Sequence, residues 1–268
     1  MESEQTHALA QAVARPLGRA GRGTLQFVSD AGSLAIFAGR AAARLLRRPF
    51  RARQLVLQID FIGARSLTVI ALAAVFTGLV LALQGYAVLV RFGSENLIGS
   101  LVALSLTREL GPVLTGLMVT ARAGSAMAAT IGNMAVTEQI DALDSLAVDP
   151  LRYLVVPRLL AALLTMPLLA ALFSMTGIAA AYLFSVFVLG VDGPVFMANV
   201  RSSVEWRDVW VGLVKAAVFG ALIAAVATFR GYETRGGAEG VGRSTSRTVV
   251  ESAVLILCGD YVMTALLF

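Results

Sequence analysis

Arg108 and Glu109 stand side by side inside an apolar run, Leu97 to Ala121, that is long enough to cross a bilayer. Each charge costs roughly 2.5–3.5 kcal/mol at the centre of a membrane helix. Stability alone does not explain two of them there, and ionisable residues at membrane depth point to a functional site by default. Pro112 adds to the polarity: it has no N–H and its ring crowds the carbonyl of Arg108, which loses its helical partner. Adjacent residues on a helix point about 100° apart, so the two charges are poorly placed to pair with each other. Lys215 and Asp260 are the other embedded charges. Two cross-helix pairs, Arg108 with Asp260 and Glu109 with Lys215, would satisfy all four. Such a network could be purely structural, or Arg108 or Glu109 could line a cavity for a partly polar substrate. Gln84 and Tyr86 close the preceding apolar run, where Tyr86 reads as an interfacial anchor or as the rim of a cavity opening outward.

The elements that must position these residues are membrane helices. The chain is 57% hydrophobic and only 15% charged, where soluble domains carry about 25% charged residues, and its apolar residues fall in long blocks. Five blocks are near the ~20 residues that span a bilayer: Ser66 to Val90, Leu97 to Ala121, Leu159 to Leu189, Trp210 to Phe229, and Val249 to Phe268. The expected fold is all-α and integral to the membrane, with an N-terminal tail and interfacial amphipathic helix over residues 1–53 and a five-span membrane domain over 54–268. Ten Arg precede the first span, and Arg230, Arg235, Arg243 and Arg247 separate the fourth from the fifth, whereas the loops from Arg91 to Asn96 and from Gly190 to Val209 are nearly balanced. By the positive-inside rule the N-terminus is cytoplasmic, and five spans put the C-terminus on the far side. The arginines therefore mark orientation and lipid headgroups, not nucleic acid.

Before the first span, Arg40, Arg44, Arg47 and Arg51 form a basic stripe at helical spacing, and Leu34, Phe37, Ala41 and Leu45 lie on another side. This predicts an amphipathic helix in the membrane interface, apolar side in the acyl boundary, or a short soluble cap helix. Leu55, Ile59 and Ile62 give a second amphipathic stretch. Between the second and third spans, Thr137 can cap a short helix running to about Ala147. Ile140, Leu143 and Ala147 share one face of it, and Glu138, Asp141 and Asp144 recur every three residues. Asp149-Pro150 then restarts a helix. The short helix could dock a soluble partner or be a plain loop helix. Gly124, Ala128 and Gly132 are spaced to let two helices approach closely. Asp192-Gly193-Pro194 signals a turn in the loop from Gly190 to Val209, flanked by Trp206 and Trp210 at the membrane boundary.

Several chemistries are excluded. His7 and Cys258 are the only His and Cys, too few for a His/Cys metal site or a Cys-His nucleophile. Lys215 is the only Lys and lies inside a span, so no P-loop exists and any ATP must be used on another chain. The N-terminal stretch, interrupted by Arg15, Arg19 and Arg22, does not read as a signal peptide. No cofactor, metal or catalytic residue is expected.

The segment from Leu101 to Leu143, with its core TRELGP, TARAGSA and TEQ in that order, closely resembles the MlaE family of ABC-transporter permeases. AVDPLRYLVVPR (Ala147 to Arg158), GLVLALQGY (Gly78 to Tyr86) and the C-terminal span fit as well; the resemblance covers about Arg53 to Phe268. Ala121 replaces a Gly of the family's pattern. The resemblance implies a homodimeric inner-membrane permease of a Gram-negative bacterium, with an ABC ATPase below, a ring of MCE-domain lipid-binding subunits above, and often a STAS-domain regulator. It implies phospholipid movement between inner and outer membranes, which maintains outer-membrane asymmetry. Arg108 and Glu109 match polar positions of the family's lipid cavity, and Glu138 to Ala147 matches the helix seated in the ATPase groove. Three rivals are a permease for sterols or other hydrophobic molecules, an ion-coupled secondary transporter, and a structural membrane scaffold.

Overall fold

The computed structural model describes residues 28–44 and 52–267, all-helical apart from short turns. The tail from Met1 to Gly23, together with Leu45, Arg47, Pro49 and Arg51, lies outside the described residues. Helix α1 covers 28–44. The first span comprises α2 (Ala52–Ile62) and α3 (Leu67–Leu89). The second comprises α4 (Ile98–Ser105), α5 (Gly111–Val119) and α6 (Ser125–Val136), joined by π-helical turns at Leu106–Leu110 and Thr120–Gly124. Helix α7 (Gln139–Ser145) follows, and a third π turn, Leu151–Val155, opens the long α8 (Val156–Phe187). Helix α9 (Gly193–Ser203) precedes the last two spans, α10 (Trp206–Tyr232) and α11 (Gly237–Leu267). Among the described residues the helices long and apolar enough to cross a membrane are the five expected spans; the second, at 42 residues, is overlong as expected, but the first, at 41, exceeds the third, at 37.

Helix α10 is the centre of the bundle. It packs on α8, α11, α6 and α5, while α3 packs on the other side of α8. Close approach depends on absent side chains: a Cβ at Gly78 of α3 would sit on the carbonyl of Gly177 in α8, and one at Gly132 would meet Thr234 just past α10. The small-residue stripe of α6 thus faces α10, as its spacing predicts. Helix α11 is the least buried span; Val250, Val254, Leu257 and Tyr261 form an exposed stripe along it.

One expected element gains a protein contact and two expectations are corrected. The apolar side of α1 is seated on protein: Ala41 is fully buried, and Phe37 stacks on Phe229 and Tyr232 of α10, with ring centroids 5.4 and 5.9 Å away. Its basic side is engaged too, since Arg44 Nε donates to Asp149 at 2.6 Å. Thr137 does not cap α7; its hydroxyl donates back to the carbonyl of Asn133 and closes α6. The loop holding Asp192-Gly193-Pro194 is mostly helix, because Asp192 is extended and Pro194 suits the first turn. Helix α9 lies against α4, where Ser203 donates to Ser100 at 2.6 Å and Asn199 to the carbonyl of Asn96 at 2.7 Å.

Candidate functional site

The embedded charges meet where α5, α10 and α11 converge around the first π turn. Lys215, fully buried on α10, places its ammonium 2.7 Å from Glu109 Oε2, 3.0 Å from Asp260 Oδ1, 2.7 Å from Thr264 Oγ1 and 3.2 Å from the carbonyl oxygen of Arg108. The last of these is the carbonyl that Pro112 deprives of a helical donor, so the lysine supplies what the proline removes. Thr264 bridges the network, its hydroxyl 2.8 Å from the carbonyl of Asp260 and 3.2 Å from Glu109 Oε1. The pairing of Glu109 with Lys215 is as expected.

The pairing of Arg108 with Asp260 is not. Arg108 Nη2 lies 2.8 Å from Asp208 Oδ1, and Asp260 belongs to Lys215. Asp208 reads as a loop residue in the sequence because the apolar block starts at Trp210. In the structure α10 begins a turn earlier, at Trp206, with Glu205 and Asp208 forming a reciprocal capping box. Asp208 Oδ2 accepts from the N–H of Glu205 at 3.0 Å, which leaves Oδ1 aimed at Arg108. The Glu-x-x-Asp spacing is the signal that could have found it.

The network divides into two parts by exposure. Lys215 is 0% exposed and Asp208 2%, whereas the Arg108 side chain is 37% exposed and that of Glu109 36%. Lys215 and Asp208 are sealed, Asp260 is partly covered, and Arg108 and Glu109 remain reachable. The π turn makes this possible. It widens the helix by one residue so that the N–H of Gly111 reaches the carbonyl of Leu106, which also accepts from Ser174 of α8 at 3.0 Å. Such bulges are frequent at functional sites. Beside the turn, between it and α8, α9 and α10, lies a cavity of about 250 Å3 whose walls include Thr107, Pro112, Met175, Ile178 and Leu213. Gln84 and Tyr86 are not brought to these charges. Between them Gly85 faces Ile98 and Leu101, so they lie roughly 10 Å along the helix from Arg108 at 1.5 Å per residue.

A second polar junction holds the first span. Arg122, in the second π turn, donates to the carbonyl of Phe61 and to Ser66 Oγ, both at 2.8 Å, across the break between α2 and α3. No spacing in the sequence announces this contact.

Helix α7 is an exposed element with both ends sharply turned. Glu138 and Ala147 adopt left-handed φ of 58° and 56°, which costs on the order of 1–3 kcal/mol for a residue other than Gly. Ile140 is buried and Leu143 half-buried, while Glu138, Asp141 and Asp144 face outward. Ala147 does not share the inner face, because the helix ends at Ser145; Leu146, 74% exposed, is instead the apolar group presented outward. Asp149 caps the next helix as expected, accepting from the N–H of Leu151 at 3.1 Å and of Arg152 at 3.4 Å. Burial pushes its carboxyl up, but the hydrogen bonds from Arg44 and these N–H groups outweigh burial and hold it below its ordinary value.

Comparison with known proteins fits this arrangement. The family described as Permease MlaE matches residues 55–266. The chain is 44% identical over 248 residues to a probable ABC transporter permease protein of Rickettsia felis, covering 92% of this chain and 96% of the relative. It is 42% identical over 215 residues to the intermembrane phospholipid transport system permease protein MlaE of Haemophilus influenzae, covering 80% of this chain and 82% of the relative. It is 36% identical over 236 residues to the chloroplast protein trigalactosyldiacylglycerol 1 of Arabidopsis thaliana, covering 88% of this chain and 67% of the relative. The chain belongs to the MlaE permease family and is a multi-pass permease subunit of an ABC transporter, not itself catalytic.

Proposed function

We propose that this permease moves phospholipid between the inner and outer membranes of a Gram-negative bacterium and so maintains outer-membrane lipid asymmetry. A homodimer in the inner membrane would work with an ABC ATPase at α7, an MCE-domain subunit on the far side, and a STAS-domain regulator. The observation that carries the substrate reading is the exposure of Arg108 beside a sealed ion-pair partner. The guanidinium is held by buried Asp208, and the side chain is 37% exposed in the middle of a span. A lipid phosphate can share such a fork through charge-assisted hydrogen bonds. The adjacent cavity has a mostly apolar wall, which suits hydrocarbon, so a sterol or another hydrophobic molecule is the alternative cargo. The intermembrane phospholipid name of the Haemophilus relative favours phospholipid. Membership of an ABC permease family removes the ion-coupled and scaffold readings.

Arg108→Ala should lower phospholipid recovered with the purified complex by about tenfold, the loss of one charge-assisted contact. Because this variant strands Asp208, Arg108→Ala/Asp208→Asn is the companion that keeps assembly. Mass spectrometry of retained lipid reads the result, and a double variant that assembles with wild-type lipid content would sink the headgroup role.

Orientation is tested by thiol labelling in a Cys258→Ala background. Ser202 and Ser246 are both exposed, whereas Ser244 is buried against the carbonyl of Arg230 and makes a poor reporter. With an impermeant reagent in outer-membrane-permeabilised cells, Ser202→Cys should react and Ser246→Cys should not. The reverse pattern would overturn a cytoplasmic N-terminus and periplasmic C-terminus.

A further inference from the structure

At the arginine-rich end of the bundle, the end of α10 and the first turns of α11 enclose a cleft of about 220 Å3, lined by Arg230, Arg235, Arg243 and Arg247 with Thr234 and Ser244. On α11 the positions 243, 244 and 247 share one helix face, so the concentration of positive charge is built by the fold.

Two of the four guanidinium groups are neutralised. Arg230 is held by Glu251 at 2.6 Å, Glu233 at 3.2 Å and Asp30 at 3.4 Å, and Arg243 by Glu239 at 3.0 Å. Arg235 and Arg247 have no carboxylate within ion-pair distance among the described residues. Glu233 is the one carboxylate on the wall; it is committed to Arg230, and burial pushes its carboxyl above the ordinary value. The floor is fixed, because Thr234 and Ser244 both donate to the carbonyl of Arg230, at 2.9 and 2.6 Å. The cleft therefore has a rigid base, an internally compensated back wall, and two uncommitted exposed guanidiniums.

We propose that this cleft is a binding site for a phosphate-bearing anion, gripped by Arg235 and Arg247. The guanidinium fork matches phosphate oxygens two at a time. The site follows directly on Tyr232, the last residue of a span, so the phosphate of an anionic lipid headgroup can reach it from the bilayer surface, and a free phosphate can reach it from solution. A bound anion would clamp the start of α11 to the end of α10, to which Asp30 of α1 is also tied. The site is remote in the fold from the Arg108 network and does not depend on the transport reading.

The test uses the full chain in phosphatidylcholine nanodiscs, with and without phosphatidylglycerol, and native mass spectrometry to count retained anionic lipid. Arg235→Ala/Arg247→Ala should weaken phosphatidylglycerol retention about 30-fold, from the roughly fivefold expected per arginine at an anionic surface. Arg235→Lys/Arg247→Lys should retain most of it. Arg40→Ala/Arg53→Ala, which removes two exposed arginines outside the cleft, should change it little. Titration with inorganic phosphate separates the sources. Displacement of the lipid by phosphate, or saturable phosphate binding that the alanine pair abolishes, supports the site with a soluble anion as occupant; lipid retention indifferent to phosphate supports a headgroup. An equal loss in the Arg40/Arg53 control would show only a diffuse basic surface and overturn the proposal, as would unchanged binding of both probes in an alanine pair that elutes and unfolds like wild type.

Discussion

Lys215→Met is expected to destabilise the protein by about 3–5 kcal/mol, the usual cost of removing one partner from a buried ion pair. The magnitude follows from what the lysine satisfies. It is fully buried and touches two carboxylates, a hydroxyl and a backbone carbonyl from two other spans. Without it Glu109 and Asp260 face each other with no compensating charge, and the carbonyl of Arg108 has neither a helical nor a side-chain donor. Methionine keeps much of the volume, so the loss is electrostatic rather than a cavity. Glu109→Ala should cost less than its burial among charges first suggests, because Asp260 still holds the ammonium. The measurement is the yield of monodisperse protein with thermal unfolding in detergent. Lys215→Met/Glu109→Gln/Asp260→Asn should recover much of the stability, since it removes all the stranded charge together, and should not recover transport if the charges also serve the substrate path. A Lys215→Met protein as stable as wild type would show that the network contributes little to the fold.

Asp141→Lys/Asp144→Lys should abolish ATP-driven transport while leaving the membrane domain intact. Both side chains point outward from α7 and neither makes an ion pair within the described residues, so the structural cost should stay within about 0.5 kcal/mol, as for ordinary surface changes. The functional cost is large because like charges placed across an interface are strongly unfavourable. Leu146, exposed beside them, is the apolar group that an ATPase groove would cover, and the left-handed residues at 138 and 147 fix how the helix is presented. Reconstituted complexes give the readout: ATPase stimulation and lipid transfer should fall together, with unchanged elution and unfolding of the permease. Normal transport in this variant would remove the coupling role from α7.

Composition and periodicity by themselves determined the number of spans, their order and the presence of an intramembrane polar site. These are local properties: about 20 apolar residues must become a helix in a bilayer, since no water is there to satisfy the backbone, and a proline inside a helix must free a carbonyl one turn back. The small-residue spacing of α6 carried its packing on α10, and the Asp149-Pro150 pair carried its cap, for the same reason. The tertiary structure alone decided which charge meets which. Arg108, Glu109, Lys215, Asp208 and Asp260 come from three different spans, and charge counting allows more than one neutral pairing. The choice rests on helix rotation and on a one-turn extension of α10 that brings Asp208 into the membrane domain. The π turns, the contacts of Arg122 and Ser174, and the docking of α1 on Phe229 and Tyr232 likewise depend on side chains many residues apart meeting across packed helices, which no spacing along one helix encodes. Exposure, the property that separates Arg108 from Lys215, exists only once the bundle has closed.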